Sequence, residues 1–226
     1  MAEQGTPRAL LLDCLGTLLR LEPPAPHLRA GLLERTGIDV GAAESARAVR
    51  AEIAYYRAHL DEAVDRPALE DLRDRCAGVV RDALPVLAGV PAATVRGALL
   101  DALRFVPFGD VVPALRALRA RGVRLVVVSN WDVSLHEVLA RTGLDALVDG
   151  AVASAEVGAA KPDPLPVRRG LELAGVGADA AWLVGDTAEA DVAGARAAGV
   201  VPVLIDRDGS GGVPGVRTIG SLKELI

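Results

Sequence analysis

Arg8-Ala9-Leu10-Leu11-Leu12 (RALLL) runs into Asp13, and the chain continues Cys14-Leu15-Gly16-Thr17-Leu18. An unbroken apolar run of this length, closed by polar and glycine residues, predicts a strand buried on both faces, as in a parallel sheet. Two similar runs follow. Val123–Val128 (VRLVVV) ends at Ser129-Asn130, and Ala181–Val184 (AWLV) ends at Gly185-Asp186. Weaker strands are expected at Gly150–Ala153 and Val201–Ile205. Helical patterns separate them at Asp110–Arg121, Val133–Thr142, Asp163–Ala174 and Glu189–Ala198. Gly122, Gly143, Gly175 and Gly199 stand just past their ends, where helices often terminate in glycine. The alternation predicts an α/β fold, a Rossmann-like parallel sheet with helices on both faces and right-handed crossovers.

One stretch breaks the alternation. From about Glu22 to Phe105 no strand pattern is found; helical patterns run at His27–Arg35, Ala43–Ala63, Ala68–Leu84 and Ala92–Leu103, punctuated by Gly37, Pro67, Pro85 and Pro91. The expected organisation is therefore an α/β core from residues 1–21 and 106–226, with a helical insert over 22–105.

Bulk properties narrow the class. The 226 residues are 51% hydrophobic, enough for a packed interior, and carry a net charge of −5 without a Lys/Arg-rich run. That excludes the electrostatic footprint of a nucleic-acid binder. No apolar run approaches the length of a membrane span. Met1–Arg8 has no apolar signal-peptide core, and Cys14 and Cys76 suggest neither a metal quartet nor a disulfide framework. A cytoplasmic location is expected, with reduced thiols and with monomer and homodimer both open. Lysine occurs only at Lys161 and Lys223, which singles out the Lys161-Pro162-Asp163-Pro164 string.

In open α/β sheets ligands bind beyond the carboxyl ends of the strands. The three strong strands end at Asp13, Ser129 and Asp186, so these residues should share one sheet edge. A carboxylate closing an apolar strand is costly unless it is a nucleophile, a metal ligand or a paired charge.

The string Asp13-Cys14-Leu15-Gly16-Thr17-Leu18 resembles the nucleophile loop of the haloacid dehalogenase-like (HAD) superfamily, D-x-D-G-T-L. Ser129-Asn130, Lys161-Pro162-Asp163-Pro164 and Gly185-Asp186-Thr187 with Asp191 resemble its second, third and fourth motifs in order. The insert sits where the subclass with an α-helical cap carries one. The resemblance implies hydrolysis of a small phosphorylated substrate with Mg²⁺ as cofactor, Asp13 being the nucleophile. It implies metal ligation by Asp13, the Leu15 carbonyl and Asp186, with Asp191 orienting the metal's surroundings. Ser129 would bind a phosphoryl oxygen, Lys161 would offset charge, and Gly16, Thr17 and Asn130 would cradle substrate. Hinges are implied near Arg20–Pro24 and Pro107–Gly109.

The chain departs from the pattern at one place. The family's phosphatases carry an aspartate two residues after the nucleophile, which protonates the leaving alcohol and later activates water. Here the residue is Leu15, which does neither. Three accounts follow. One is phosphoryl transfer from activated substrates, or with an acid from the insert, where His27, His59, Tyr55, Tyr56 and the acids near Asp61 are available. Another is a metal-independent 2-haloacid dehalogenase-like enzyme, whose leaving halide needs no proton. The last is a phosphate-ligand binder without turnover. Three aspartates at one edge would repel unless a cation joined them, which favours the metal-dependent account.

Overall fold

The computed structural model describes residues 6–226; the first five, part of the stretch read for a signal segment, lie outside the described residues. The chain divides into two compact units, one from the residues up to Arg20 and from Pro107 to Ile226, the other Leu21–Val106.

The first unit is a six-stranded parallel sheet flanked by helices. Strands β1 (Ala9–Leu12), β2 (Leu19–Leu21), β3 (Phe105–Pro107), β4 (Arg124–Ser129), β5 (Gly150–Ala153), β6 (Ala181–Gly185), β7 (Val201–Ile205) and β8 (Arg217–Ile219) follow in chain order. The sheet runs β5-β4-β1-β6-β7-β8, and β2 and β3 form a separate two-stranded ribbon through which the chain leaves and re-enters this unit. Every residue of β1 is buried, as its unbroken leucines require. Leu12 sits in register with Val127 of β4 and Val184 of β6, so β1 lies at the sheet centre with the two other strong strands beside it.

The helices bury one stripe each. Among the described residues the α-helices are α1 (Pro24–Thr36), α2 (Ala42–His59), α3 (Arg66–Ala83), α4 (Ala92–Ala102), α5 (Val111–Ala120), α6 (Leu135–Thr142), α7 (Ser154–Val157), α8 (Pro164–Ala174) and α9 (Ala193–Ala197). In α5 the buried residues are Val111, Ala114, Leu115 and Leu118, the 3.6-residue period of an amphipathic helix. Helix α8 approaches the sheet at Gly170, where a Cβ would meet Val128 Cγ2 at 2.6 Å, so only glycine fits there. The glycines expected to end helices do so: Gly122, Gly143, Gly175 and Gly199 all have positive φ.

Two differences from expectation have physical causes. The ribbon strands and β8 are three residues long and carry no period that a sequence can show. The segment expected as one helix over Glu189–Ala198 is instead a π-helical turn, Ala188–Val192, followed by the short α9. The wide turn is closed by Val192 N donating to Thr187 O, and Asp191 reaches back to accept from Thr187 N at 3.0 Å.

The second unit is a bundle in which α1 packs on α2, α2 on α3, α3 on α4, and α4 returns to α1. Helix α2 ends at His59 and tightens into a 3₁₀ turn over Leu60–Glu62, short of the continuous helix expected to Ala63. Between α2 and α3 the Glu52 side chain is buried and hydrogen-bonded with Cys76. Burial raises its pKa to about 6, with the Cys76 bond opposing. A carboxyl group raised in the folded state costs stability once ionised, so the penalty grows as pH climbs from the unfolded value of 4.5 through about 6. Glu52→Gln should therefore stabilise the full chain by about 1–2 kcal/mol above pH 6 and by little in more acid solution. Denaturant unfolding on both sides of that pH measures it; equal stability of the two proteins throughout would refute it.

Candidate active site

Four elements bring their ends together. Asp13 follows β1, its amide still in the ladder through Val184 O at 2.9 Å; Ser129 closes β4, and Asp186 follows β6. Lys161 comes from the loop before α8, and Asp191 from the π-helical turn. The Lys161 ammonium donates to Asp13 Oδ1 at 2.8 Å, Asp191 Oδ1 at 2.6 Å and Val128 O at 2.7 Å. The Ser129 hydroxyl donates to the same Asp13 Oδ1 at 3.0 Å. Asp13, Ser129, Lys161 and Asp191 are buried, and Asp186 reaches solvent.

One carboxylate oxygen each from Asp13, Asp186 and Asp191 lies within 4.8 Å of the others. Three carboxylates thus face one buried ammonium, and the imbalance shows in their protonation. Burial, reinforced by the charges of Asp13 and Asp191, raises the Asp186 pKa to about 6. Burial also raises Asp191, with Asp13 adding to the effect and Lys161 opposing it. Burial alone would lower Lys161, but Asp13 and Asp191 more than offset that and hold it above its ordinary value. Hard oxygen donors with excess negative charge suit a divalent cation such as Mg²⁺. Asp13 Oδ2 accepts no hydrogen bond among the described residues and the Asp186 carboxylate accepts from its own amide and the Thr187 hydroxyl, whereas both oxygens of Asp191 are engaged. Asp13, Asp186 and Asp191 are the residues that could hold such an ion.

The turn after Asp13 has its own requirements. Leu18 N and Leu19 N both donate to Cys14 O, and Gly16 N donates to Leu19 O; none of these bonds uses the Leu15 carbonyl. Gly16 has a φ of 87°, and a Cβ there would overlap the Asp186 carboxylate. Gly185 is constrained likewise, since a Cβ would overlap the Asp191 carboxylate. The Leu15 side chain is 37% exposed. Thr17 is fully buried, and its Oγ1 has no hydrogen-bond partner among the described residues. Burial, aided by Asp13, pushes the Cys14 thiol far up, so no thiolate competes with the carboxylate as a nucleophile.

Asn130 is placed differently from its expected substrate contact. Its carboxamide accepts from Lys161 N at 2.7 Å and donates to Lys161 O at 2.8 Å, so that side chain clamps the lysine's main chain. The polar cluster of the insert is also internal: the Tyr55 and His59 rings stack at 4.0 Å, and Arg75 donates to the Tyr55 hydroxyl at 3.1 Å. His27 pairs with Glu22 at 3.4 Å. The sequence reading named Gly185 only within its motif and gave no role to Asp110 or Arg207. Gly185 carried a signal in its Gly-Asp string; Arg207 carried none.

No helix among the described residues is long and apolar enough to cross a membrane. Phosphoglycolate phosphatase of Cupriavidus necator is 42% identical over 115 residues, 50% of this chain and 49% of that protein. The chain spans about half the length of the curated relatives it first matches. A phosphoserine phosphatase of Thermus thermophilus is 32% identical over 97% of this chain and 98% of its own. Among solved structures, 2-haloacid dehalogenase of Pseudomonas syringae pv. Tomato superposes with a TM-score of 0.66 at 25% identity, covering 96% of this chain and 95% of that one. The haloacid dehalogenase-like hydrolase family matches residues 7–199, and the chain belongs to that family.

Proposed function

We propose that the chain is a Mg²⁺-dependent phosphohydrolase acting through an aspartyl-phosphate on Asp13, and that Leu15 confines it to substrates with good leaving groups. The carrying observation is the cluster of Asp13, Asp186 and Asp191 around a single Lys161. Asp13 and Asp186, with the Leu15 carbonyl, would hold the metal, which when bound screens the charge between carboxylate and phosphate. Asp13 Oδ2, free of hydrogen bonds, attacks phosphorus, and the leaving oxygen departs with its electron pair as a phenolate or carboxylate. Lys161 and Ser129 fix the carboxylate through its other oxygen and offset the charge that develops on the phosphoryl group. Substrate choice falls to the helical unit Leu21–Val106, read as a cap.

The relatives named as phosphatases support the reading. Likeness to a dehalogenase favours a second one, in which Asp13 attacks carbon and halide leaves without a proton. Against it stand the three clustered carboxylates, which that chemistry leaves without a counter-cation. The test compares p-nitrophenyl phosphate, acetyl phosphate, an alkyl phosphate and 2-chloropropionate, each with and without Mg²⁺. Metal-dependent cleavage of the two activated phosphates, with the alkyl phosphate far slower, is the expected result. Metal-independent chloride release would install the second reading. Binding of Mg²⁺ and phosphate without any turnover would leave a ligand-binding protein.

A further inference from the structure

Arg207 lies two residues past β7, outside every motif that drew attention in the sequence, yet it touches the nucleophile turn. Its Nη2 donates to Thr17 O at 2.6 Å and its Nη1 to Asp110 Oδ1 at 3.0 Å. Its guanidinium stacks on the Phe108 ring, 3.9 Å from the centroid. Arg207 and Asp110 are both largely buried. Asp110 is itself fixed from the C-terminal end, accepting from Ser221 Oγ and Leu222 N, both at 2.8 Å. Burial works against an ionised Asp110, but the Leu222 amide, the Ser221 hydroxyl and Arg207 together hold its carboxyl below the ordinary range.

The contacts have a definite topology. Thr17 stands three residues before the chain leaves the α/β unit after Arg20, and Phe108 one residue after it returns at Pro107. Phe108 N donates to Leu18 O at 3.1 Å, so the outgoing and returning segments already meet here. Arg207 is the side chain that bonds to both. Its Nε and Thr17 Oγ1 are the two buried side-chain polar atoms without a partner among the described residues. A buried guanidinium with an unsatisfied N–H is costly, so the arrangement sacrifices one donor to aim the other two. Lysine, with a single ammonium, cannot reproduce that fork or the ring stacking.

We propose that Arg207 is a positioning residue for the Asp13 reaction, a pin that ties the Thr17 end of the nucleophile turn to Phe108 and Asp110. The proposal rests on the phosphohydrolase reading for its kinetic consequence. Small displacements of a reacting group are expensive in rate, while binding that does not depend on alignment survives them.

The test uses the full chain carrying Arg207→Met or Arg207→Lys, with two readouts. Hydrogen exchange followed by mass spectrometry compares the segment 14–20 with β4 and β6. For Arg207→Met, exchange of the turn should accelerate about tenfold or more, the scale of one lost charge-assisted hydrogen bond, with the strands unchanged. With p-nitrophenyl phosphate and Mg²⁺, the rate of the p-nitrophenol burst should fall by about the same factor and its half-saturating concentration move less than about twofold, with Arg207→Lys recovering part of the loss. Where Arg207→Met does not fold, Arg207→Lys is judged by the same pair of measurements. A folded variant whose turn exchanges as in the parent overturns the proposal. So does equal acceleration of turn and strands, which marks a general stabiliser, or a rise in the half-saturating concentration at constant burst rate. A parent protein that leaves p-nitrophenyl phosphate untouched defeats the phosphohydrolase reading instead, and the exchange comparison still decides the role of Arg207.

Discussion

Leu15→Asp is expected to raise turnover of an alkyl phosphate by about a hundred- to ten-thousand-fold, the usual yield of general acid–base catalysis, and to change the first, phenol-releasing step with an activated aryl phosphate far less. On the proposed phosphohydrolase reading, the substitution supplies the acid–base group that Leu15 stands in place of. Its backbone is prepared for the change: the turn is held by Gly16 and by bonds to Cys14 O and Leu19 O, none of which involves the Leu15 side chain. The leucine is exposed enough that a shorter, polar side chain leaves no buried void. A fourth carboxylate beside Asp13, Asp186 and Asp191 would have its pKa pushed up by their charge, and the protonated form is what a general acid must supply. Steady turnover of the alkyl phosphate and the rate of the phenol burst from the aryl phosphate, measured for both proteins, decide it. A variant that binds Mg²⁺ as the parent does but gains nothing on the alkyl phosphate would show that more than proton transfer is missing.

The second large effect concerns Lys161. Removing one partner from a buried charge cluster typically costs about 3–5 kcal/mol, because the remaining charges are left uncompensated. Lys161→Met keeps most of the side-chain volume and leaves Asp13 and Asp191 buried without their cation, 2.8 and 2.6 Å from where it stood. The loss should depend on pH in a definite direction. Asp186 is raised to about 6 and Asp191 is raised by burial and by Asp13, so the ionisation of each costs stability as pH climbs through its folded-state pKa. The variant should be weakest above those values and recover as acid protonates the cluster. A divalent cation should restore part of the loss at neutral pH by mass action on the folded state. Thermal melts with Mg²⁺ and with chelator, on both sides of pH 6, test all three statements. A variant as stable as the parent, with no response to metal, would mean that Lys161 does not balance the carboxylates.

The sheet was readable because its central strands are buried on both faces and so appear as unbroken apolar runs; β1 and β4 needed no further clue. Strands β2, β3 and β8 were not, since three residues cannot display a period and their pairing is set by tertiary structure. The helical pattern over Glu189–Ala198 was right in kind and wrong in pitch. Its sequence favours a helix, but the reach of Asp191 to Thr187 N and Lys161 widens the first turn, and π-helical turns of this sort gather at functional sites. Asp13, Ser129, Lys161, Asp186 and Asp191 were legible as a group because each ends a strand or opens a loop on the same side. The grip of Asn130 on the main chain of Lys161 was not legible, because a polar residue beside a site gives no sign in the sequence of which main chain it meets. Arg207 was invisible: its role follows from contacts with Thr17 and Asp110, 190 and 97 residues away in the chain.

On the proposed reading Asp13 is a nucleophile without an acid–base partner, and that carries one consequence no competing account shares. The first half-reaction can proceed on an activated substrate, but Leu15 cannot activate water for the second, so the acyl phosphate should accumulate. Rapid quench of the parent protein with p-nitrophenyl phosphate and Mg²⁺, followed by mass analysis of the Asp13 peptide, measures this directly. A burst of p-nitrophenol close to one per chain, with a phosphoryl group on Asp13 that disappears faster in Leu15→Asp, is the predicted result. Steady turnover with no burst and an unmodified Asp13 would contradict it.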